Sequence, residues 1–419
     1  MLDALESGLS GDNLSVFRCL RDRALKQSHP IYVVGGPVRD FLLGVPIRDL
    51  DFVVEGDGPE LARWLAERLG GEVRVHPRFG TSTLVSGSCR VDVVTARKEV
   101  YPKPGALPQV TPGTISDDLA RRDFAINALA LPLTEKRPEI MDLHGGIDDL
   151  RQGVIRILHP KSFEDDPTRI FRAIRYEQRL GFDLEPDTLD FLNAAVAQGH
   201  IASLTGDRIR HELEKILDED HPELSLNKAA VLGILEKIHP ALGEKEAVDR
   251  LDALVAGTHT GDDGQKGITH LTYIGALVYS LSEIQAEEII HRISAPGAWS
   301  RVIREVMSLK SREDALARDD ISSSQLADIV GGYSAEAVLV FARLTKLPIV
   351  SERLALYSER LRHIGPALTG NDLLELGVLE GPELGRLLRQ LREAKLEGTV
   401  STEEDERRWV QERMPKAHE

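Results

Sequence analysis

The 419-residue chain has little cysteine, few aromatic residues and no long apolar run. Its two cysteines, Cys19 and Cys89, lie far apart, which is typical of structural thiols in a reducing compartment and not of a disulfide framework or a zinc site. No stretch approaches the roughly 18 apolar residues that cross a bilayer. The acidic start MLDALESGLSGDN lacks the basic and apolar segments of a signal peptide. We therefore expect a cytoplasmic protein that makes no membrane contact.

Basic charge is also scarce, since 52 Lys and Arg residues face 68 Asp and Glu residues and leave a formal net charge of −16. Broad, nonspecific binding of nucleic acid needs clustered cations that neutralise phosphates, so the overall charge argues against it. Net charge averages over all faces of a protein, however, and a local basic surface remains compatible with it.

Strand and helix signals are mixed over the first 130 residues, whereas helical periods dominate from about residue 160 onward. Short apolar runs such as IYVV and DFVV predict strands, and alternating runs such as EVRVH predict further strands. Segments 15–27 and 59–69 have apolar residues at helical spacing. The pattern predicts an α+β fold, with an N-terminal mixed β-sheet and its helices followed by an all-helical remainder.

Two aspartates, Asp49 and Asp51, lie one residue apart at the start of the apolar run DLDFVV. Because side chains alternate between the two faces of a strand, both carboxylates point to the same side. Two carboxylates at such a short distance repel each other. A Mg²⁺ ion between them keeps both ionised and also binds substrate phosphates. We predict Asp49 and Asp51 as metal ligands and catalytic residues that activate a hydroxyl nucleophile. The alternative is that both acids simply end a strand at the surface.

A glycine pair precedes these acids at the end of the predicted strand in PIYVVGG. Gly35 and Gly36 allow backbone N–H groups to approach phosphate oxygens, and Arg39 adds positive charge one helical turn further on. These three residues predict a phosphate-binding turn beside the acid pair. Asp92 is a third acid in a neighbouring predicted strand, where a solvated strand end is an equally good interpretation.

Several ordered motifs then carry a family resemblance: GGPVRD, DLD, RRDFAINALAL and DDPTRIFRAIRYEQRLGF. Over residues 31–217 the chain resembles the class II tRNA nucleotidyltransferases and the related bacterial poly(A) polymerases. The resemblance implies a polymerase-beta-like head followed by helical neck, body and tail domains. We predict these four domains at residues 1–150, 151–218, 219–300 and 301–419.

The segment DLARRDFAINALAL resembles the ribose-recognising motif of that family, in which Arg122 matches the nucleotide-binding arginine. A guanidinium is always charged and presents its donors as a fork, which suits triphosphate and ribose contacts. The alternative is that Arg121 and Arg122 form surface ion pairs with Asp117 and Asp118. Residues 142–156 resemble the family's hinge between head and neck, although an ordinary hairpin turn fits them as well.

The segment DDPTRIFRAIR places Asp166 and Pro167 at the start of a predicted helix, with arginines at every third position after them. A carboxylate and a guanidinium together can read the edge of a base. The resemblance implies that the pair formed by Asp166 and Arg169 selects C or A, although the acid before Asp166 is Asp where the family has Glu. We predict nucleotide binding for the arginines of this helix, namely Arg169, Arg172 and Arg175. The alternative is a helix cap followed by a solvated basic face.

Residues 205–217, TGDRIRHELEKIL, resemble the family's last motif, and we predict a structural role for it, with Arg208, Arg210 and Glu212 pairing across helices. No His-Asp dipeptide occurs, so the phosphohydrolase domain that is fused to some relatives is not expected.

The resemblance implies an enzyme that adds C-C-A to the 3′ end of tRNA from CTP and ATP, with Mg²⁺ and with no protein partner. The long segment 98–120 disfavours C-C-only addition, because enzymes of that type are shortened there. Addition of A alone and poly(A) synthesis remain alternatives, although the mixed charge of EEDERRWVQERMPKAHE differs from a strongly basic tail. A small-molecule nucleotidyltransferase would not need the long helical part, and a noncatalytic RNA-binding protein would be expected to lack an acid that this chain retains.

Overall fold

The computed structural model describes residues 2–414 except 28–29, 48, 88, 136, 244–245 and 257–267. The chain divides into two compact units, Met1–Lys237 and Ile238–Glu419. The first unit contains a β-sheet with helices and ends in helices, and the described part of the second unit is helical, which confirms the predicted fold class. The predicted division into head, neck, body and tail at residues 150, 218 and 300 stays a prediction.

The strands of the first unit follow the apolar and alternating runs of the sequence. Their bounds are β1 Ile31–Val34, β2 Leu50–Val54, β3 Glu72–His76, β4 Thr81–Ser86, β5 Cys89–Thr95, β6 Arg97–Val100, β7 Gln109–Pro112, β8 Leu129–Pro132, β9 Met141–Asp142, β10 Val154–Ile155 and β11 Asp183–Leu184.

The main sheet has the strand order β3-β4-β5-β2-β1-β8-β9. Within it β2 and β5 are parallel, and the other neighbours are antiparallel. The parallel pairing places Asp51 directly opposite Asp92. Strands β6 and β7 form a separate antiparallel ribbon within the Pro-rich segment 98–120, which the sequence patterns did not predict as strands.

Helices of the first unit pack around this sheet and then continue as a helical segment. Their bounds are α1 Leu2–Ser7, α2 Gly11–Gln27, α3 Gly36–Leu43, α4 Gly58–Leu69, α5 Ile115–Ala120, α6 Gly146–Gln152, α7 Ser162–Asp165, α8 Thr168–Leu180, α9 Pro186–Ala197, α10 Gly206–Leu217, α11 Pro222–Val231 and α12 Ile234–Ile238, the last of which reaches the boundary residue.

One face of the outer strands is covered by α4. Leu61 and Leu65 of α4 are buried, as are Leu84 and Val91 of the strands against which this helix packs. The opposite side, which we call the open face, carries exposed or half-buried side chains at every second position. It consists of Arg90, Asp92 and Val94 of β5, Thr81, Thr83 and Val85 of β4, and Glu72, Arg74 and His76 of β3.

The turn into α6 depends on two glycines in the predicted hinge motif. Gly145 has φ 77°, in the left-handed region that favours glycine. Gly146 has no space for a side chain, because a Cβ atom would lie 2.2 Å from the carbonyl oxygen of Ala125. The side chain of Asp142 accepts hydrogen bonds from the N–H groups of Gly146 and Ile147. The segment is therefore a strand-to-helix turn and not the hairpin turn that was the alternative.

The second unit is built from helices joined by short connections. Their bounds are α13 Glu246–Val255, α14 His270–Val278, α15 Glu283–Arg292, α16 Gly297–Lys310, α17 Glu313–Ala317, α18 Ser323–Val330, α19 Ala335–Leu344, α20 Pro348–Glu359, α21 Gly370–Glu375, α22 Pro382–Leu396 and α23 Glu403–Arg413. Among the described residues, no helix has the length and apolarity that crossing a membrane requires.

The last three helices share a small apolar core that includes Leu387, Leu391 and Val410. Glu406 of α23 is fully buried beside this core. Its carboxylate accepts hydrogen bonds from the N–H groups of Ala367 and Leu368 and forms an ion pair with Lys395. A buried carboxylate is tolerated here because each of these partners is a donor.

Candidate active site

The two predicted catalytic acids line the same cavity. Asp51 is half-buried within β2, and Asp49 is exposed just before that strand. Burial raises the pKa of Asp51 to about 6, and the neighbouring carboxylates Asp92 and Asp49 add to this increase while Arg122 opposes it. Asp92 accepts a hydrogen bond of 2.5 Å from the hydroxyl of Thr83. The site thus concentrates negative charge at one wall of the cavity.

That cavity has a volume of about 680 Å³ and lies within the first unit. It extends from the acids to the side chains of α8 and α10 and is rich in arginine. Most of the predicted site residues line it: Gly35, Gly36, Arg39, Asp49, Asp51, Arg122, Asp166, Arg169 and Arg172.

The glycine turn leaves room for an arginine. Gly35 has φ 69°, and a Cβ atom at this position would lie 2.5 Å from Nη1 of Arg122. The N–H group of Gly35 already donates to the carbonyl of Leu129 at 3.0 Å. Gly35 therefore gives Arg122 close access to the cavity, whereas its predicted phosphate contact stays a prediction.

Arg39 is 4% exposed and lines this cavity. It donates to the side-chain oxygen of Asn127 at 2.7 Å and pairs with Asp40 at 2.7 Å. Its guanidinium carbon lies 5.3 Å from the ring centre of Tyr176. Arg39 is thus held in a fixed position by groups on three different elements.

Arg121 and Arg122 share one carboxylate, that of Asp118. Asp118 is fully buried, so these are not the surface ion pairs considered as the alternative. Asp117, the other candidate partner, instead caps α5 together with Thr114. Sharing a buried carboxylate fixes the direction in which Arg122 enters the cavity.

The predicted base-selecting pair lies at the other side of the cavity. One oxygen of Asp166, Oδ1, accepts hydrogen bonds from the N–H and hydroxyl of Thr168 and from Arg208 at 2.6 Å. Arg169 is 4% exposed and donates to the hydroxyl of Ser162 and to the carbonyl of Arg121. Both side chains are therefore held in place by hydrogen bonds to other groups of the first unit.

The remaining arginines of α8 make ion pairs. Arg172 donates to Asp123 at 2.5 and 2.8 Å, and Asp123 is 7% exposed. Although burial opposes it, Arg172 holds the pKa of Asp123 well below its usual range. Arg175 pairs with Glu219 at 3.0 Å and is not among the residues that line the cavity. A nucleotide contact by Arg175 therefore lacks support from this geometry and stays a prediction.

Several cavity residues were not predicted as functional. Arg208, predicted as structural, donates both to Asp166 and to the carbonyl of Gly105. Tyr176 lies between three guanidinium groups, with ring-centre distances of 4.9–5.4 Å. Glu99 of β6 receives hydrogen bonds from Arg97, Arg121 and the hydroxyl of Tyr101. The position of Tyr176 at helical spacing from the arginines could have predicted that it belongs to the site. The contact of Arg208 could not have been predicted in this way, because it joins distant parts of the chain.

The acids fit a Mg²⁺ ion only together with a substrate. Among the described residues, no group of three or more His, Cys, Asp or Glu side chains is placed to hold a metal. Mg²⁺ commonly uses one or two carboxylates and completes its shell with water and phosphate oxygens. The raised pKa of Asp51 arises from burial and from the neighbouring carboxylates, which Arg122 and Arg90 offset only in part, and a cation would relieve both effects. The pair Asp49 and Asp51 therefore matches the chemistry of a magnesium–phosphate site.

Two family models match segments between residues 31 and 245. The Poly A polymerase head domain matches residues 31–156, and the probable RNA and SrmB-binding site of polymerase A matches residues 181–245.

Curated relatives are named as tRNA nucleotidyltransferases. An A-adding enzyme of Halalkalibacterium halodurans is 31% identical over 98% of this chain and 95% of its own length. An A-adding enzyme of Geobacter sulfurreducens is 36% identical over 90% of this chain, which spans only 44% of that relative. A CC-adding enzyme of Deinococcus radiodurans is 33% identical, with 90% of this chain and 87% of the relative covered.

Solved structures match over nearly the whole chain. A CCA-adding enzyme in an apo form has a TM-score of 0.78 and 32% identity, with 97% of both chains covered. A CCA-adding enzyme in complex with ATP has a TM-score of 0.76 and 30% identity, with 97% of this chain and 96% of that chain covered. The Thermotoga maritima enzyme complexed with tRNA has a TM-score of 0.74 and 31% identity, with 99% and 98% covered.

Proposed function

Because the chain belongs to the family of tRNA nucleotidyltransferases, we propose that it transfers AMP from ATP to the 3′ end of a tRNA that already ends in C-C. Pyrophosphate is the second product. One observation carries the proposal: a single cavity joins the acid pair Asp49 and Asp51, the arginine Arg122 and the base-reading pair Asp166 and Arg169. Such a site holds the reacting phosphate, the sugar and the base at the same time.

The choice of A addition is supported by the relatives. The A-adding enzymes of Geobacter sulfurreducens, Halalkalibacterium halodurans and Aquifex aeolicus are 36%, 31% and 35% identical to this chain. The sequence motifs favoured full C-C-A addition, with addition of A alone or poly(A) synthesis as the alternatives. Full C-C-A addition from CTP and ATP remains the second candidate, because CCA-adding structures match over 97% of this chain and segment 98–120 is long.

Each part of the cavity has a role in this reaction. Asp49 and Asp51 would hold Mg²⁺, which when bound supplies positive charge for the attacking 3′-hydroxyl and the departing pyrophosphate. Arg122 and Arg39 offer fixed donors for phosphate and ribose oxygens. Asp166 accepts a hydrogen bond from the amino group of adenine, and Arg169 donates to a ring nitrogen. Uracil has a carbonyl oxygen where adenine has its amino group, so an acceptor would face the carboxylate of Asp166 and uracil is rejected.

The test uses purified full-length protein and tRNA transcripts that lack zero, one, two or three terminal residues. Each transcript is incubated with Mg²⁺ and with ATP, CTP or both, and the products are resolved to single nucleotides. Extension by one A, only on the transcript ending in C-C, is the expected result. Restoration of C-C-A on the shortest transcript selects the second candidate, and an unlimited A tract or no extension refutes both.

A variant purified in the same way controls for enzymes of the expression host. Asp51→Asn preserves the size of the side chain but removes its charge. Loss of extension in this variant assigns the activity to this protein and not to a host enzyme, whereas extension at an unchanged rate would mean that the activity does not depend on Asp51 and would refute the assignment of the acids.

A further inference from the structure

The open face of the main sheet carries a polar row that begins at the catalytic acids and runs toward the sheet edge. Asp51 is opposite Asp92, Asp92 is opposite Thr83, and Thr83 is opposite Arg74. Because directly opposed residues of a sheet point to the same face, these four side chains form one line across four strands. This row therefore runs from the acids Asp51 and Asp92 to the guanidinium of Arg74 on β3.

A second row lies beside the first and has different chemistry. Arg90 is opposite Val85, which is 50% exposed, and Val85 is opposite Glu72. Arg90 and Arg74 are both exposed, and neither makes a hydrogen bond or an ion pair within the part of the chain that the structure describes. Two cations without a hydrogen-bonded protein partner thus flank an exposed apolar side chain, in a protein whose net charge is −16.

Both arginines lie beside the acids and outside the nucleotide cavity: Arg74 belongs to the row of Asp51 and Asp92, and the parallel register of β2 and β5 places Arg90 next to Asp49. His76 and Thr81, in the row on one side of Asp92, line that cavity. Arg90, Val85 and Arg74 do not line it. In an in-line phosphoryl displacement, the attacking oxygen and the leaving group lie on opposite sides of the phosphorus. The exposed surface around Arg90 and Val85, next to the acids and outside the cavity, is therefore available to the attacking strand when the triphosphate occupies the cavity.

We propose that the open face around Arg90, Val85 and Arg74 is the track on which the single-stranded 3′ end of the RNA primer lies. The inference rests on the proposed function, since it needs an RNA whose 3′-hydroxyl attacks the nucleotide. Arg90 contacts the phosphate nearest the terminal ribose, Val85 packs against that nucleotide, and Arg74 contacts a phosphate further back. Charge complementarity selects this occupant, because the acid pair repels RNA phosphates and the two arginines compensate for that repulsion.

The dimensions of the sheet agree with such a track. Arg90 lies two residues from Asp92, which is roughly 7 Å along the strand, and Arg74 lies two strands away, roughly 10 Å across the sheet. A long arginine side chain can span the remaining distance to a phosphate. Glu72 lies beyond Val85 in the second row, so the track passes toward Arg74 and not toward Glu72.

The experiment measures steady-state extension of a short RNA hairpin that ends in C-C, with ATP and Mg²⁺. Arg90→Gln should raise the KM for RNA about tenfold, the usual effect of removing one charge-assisted hydrogen bond, while the KM for ATP changes less than twofold. Arg74→Gln should raise it to a smaller extent. The double variant should also reduce the dependence of log KM on log salt concentration by about 0.7 for each phosphate that it no longer neutralises.

A chemically altered primer separates a direct phosphate contact from an effect on Asp51. In this hairpin the last internucleotide linkage is a neutral methylphosphonate. The wild-type protein should bind it about tenfold more weakly, whereas Arg90→Gln should not distinguish it from the normal primer, since this variant has no guanidinium to sense the charge of that linkage. Arg63→Gln is the matched control, because Arg63 is an exposed arginine on α4, which packs on the covered face of the sheet.

Each outcome has a definite meaning. If the KM for RNA and its salt dependence are the same in Arg90→Gln as in Arg63→Gln, the track is refuted while the proposed function stands. If Arg90→Gln changes kcat alone and both primers respond equally, Arg90 acts on Asp51 and the track is again refuted. If the wild-type protein extends no RNA, the proposed function fails and the track fails with it.

Discussion

Replacement of Arg172 by methionine should destabilise the first unit by about 3 kcal/mol. Arg172 donates to Asp123 at 2.5 and 2.8 Å, and Asp123 is 7% exposed. Removing one partner of a buried ion pair costs about 3–5 kcal/mol, because a charge is left in a site without its counter-ion. Asn127 and the N–H group of Phe124 still donate to the carboxylate, which places the expected loss at the lower end.

The loss should depend on pH with a predictable sign. Burial alone would raise the pKa of Asp123, but Arg172, with smaller contributions from Asn127 and Arg169, depresses that pKa in the folded protein. In the wild type this stabilisation is present above the unfolded pKa, about 3.9, and is lost as the pH falls through the folded value. In Arg172→Met the counter-ion is removed while burial remains, so the pKa of Asp123 in the folded variant should rise relative to that in the wild type. The stability deficit of the variant should therefore be full at pH 7 and should shrink as the pH falls below about 4, where the wild type loses the same stabilisation.

Amide hydrogen exchange of residues 168–180 measures this effect locally, which avoids treating the two units as one folding transition. The double variant Asp123→Asn with Arg172→Met should recover more than half of the loss, since no buried charge remains. If the exchange protection of Arg172→Met lies within 1 kcal/mol of the wild-type value and its KM for ATP is raised, the structural role of Arg172 is refuted. Arg172 would then be a substrate contact, as the sequence analysis predicted.

Three further predictions concern the acid pair, the base-reading pair and the turn into α6. Asp51→Asn should abolish transfer while the circular dichroism spectrum stays unchanged, and activity near the wild-type level would refute the metal site. Arg208→Met should raise misincorporation in a competition among four nucleotides about tenfold, because Asp166 loses a charged donor, and unchanged selectivity would refute this. Gly146→Ala should lower the unfolding free energy by about 3 kcal/mol, because its Cβ atom would meet a backbone carbonyl, whereas Gly145→Ala, which meets no atom within 4 Å, should cost about 1 kcal/mol; equal losses would contradict the steric argument.

Local patterns predicted the parts of the site that depend on one element. Alternation along β2 placed Asp49 and Asp51 together, and both line the cavity. The Pro167 signal placed the start of α8 within a residue or two. These features depend on neighbours a few residues away, which a single sequence contains in full.

Contacts between distant segments could not be predicted in the same way. Arg172 meets Asp123 across 49 residues and Arg208 meets Asp166 across 42, although each arginine alone resembles a solvated helix position. The ribbon β6–β7 was missed because prolines interrupt the alternation that indicates strands. Arg175 shares the helical spacing of Arg169 and Arg172 but pairs with Glu219, since a spacing of three residues rotates around a helix.

The buried carboxylate of Glu406 has a consequence for any shortened form of this protein. Ala367 and Leu368 lie just before the cluster formed by α21, α22 and α23. Their N–H groups donate to the carboxylate of Glu406 on α23. A chain cut before residue 403 would leave these donors and Lys395 without that acceptor and would expose the apolar residues that α23 covers. Limited proteolysis near residue 400 should therefore unravel the cluster back to residue 367, so the C-terminal helix cannot be trimmed as a dispensable end.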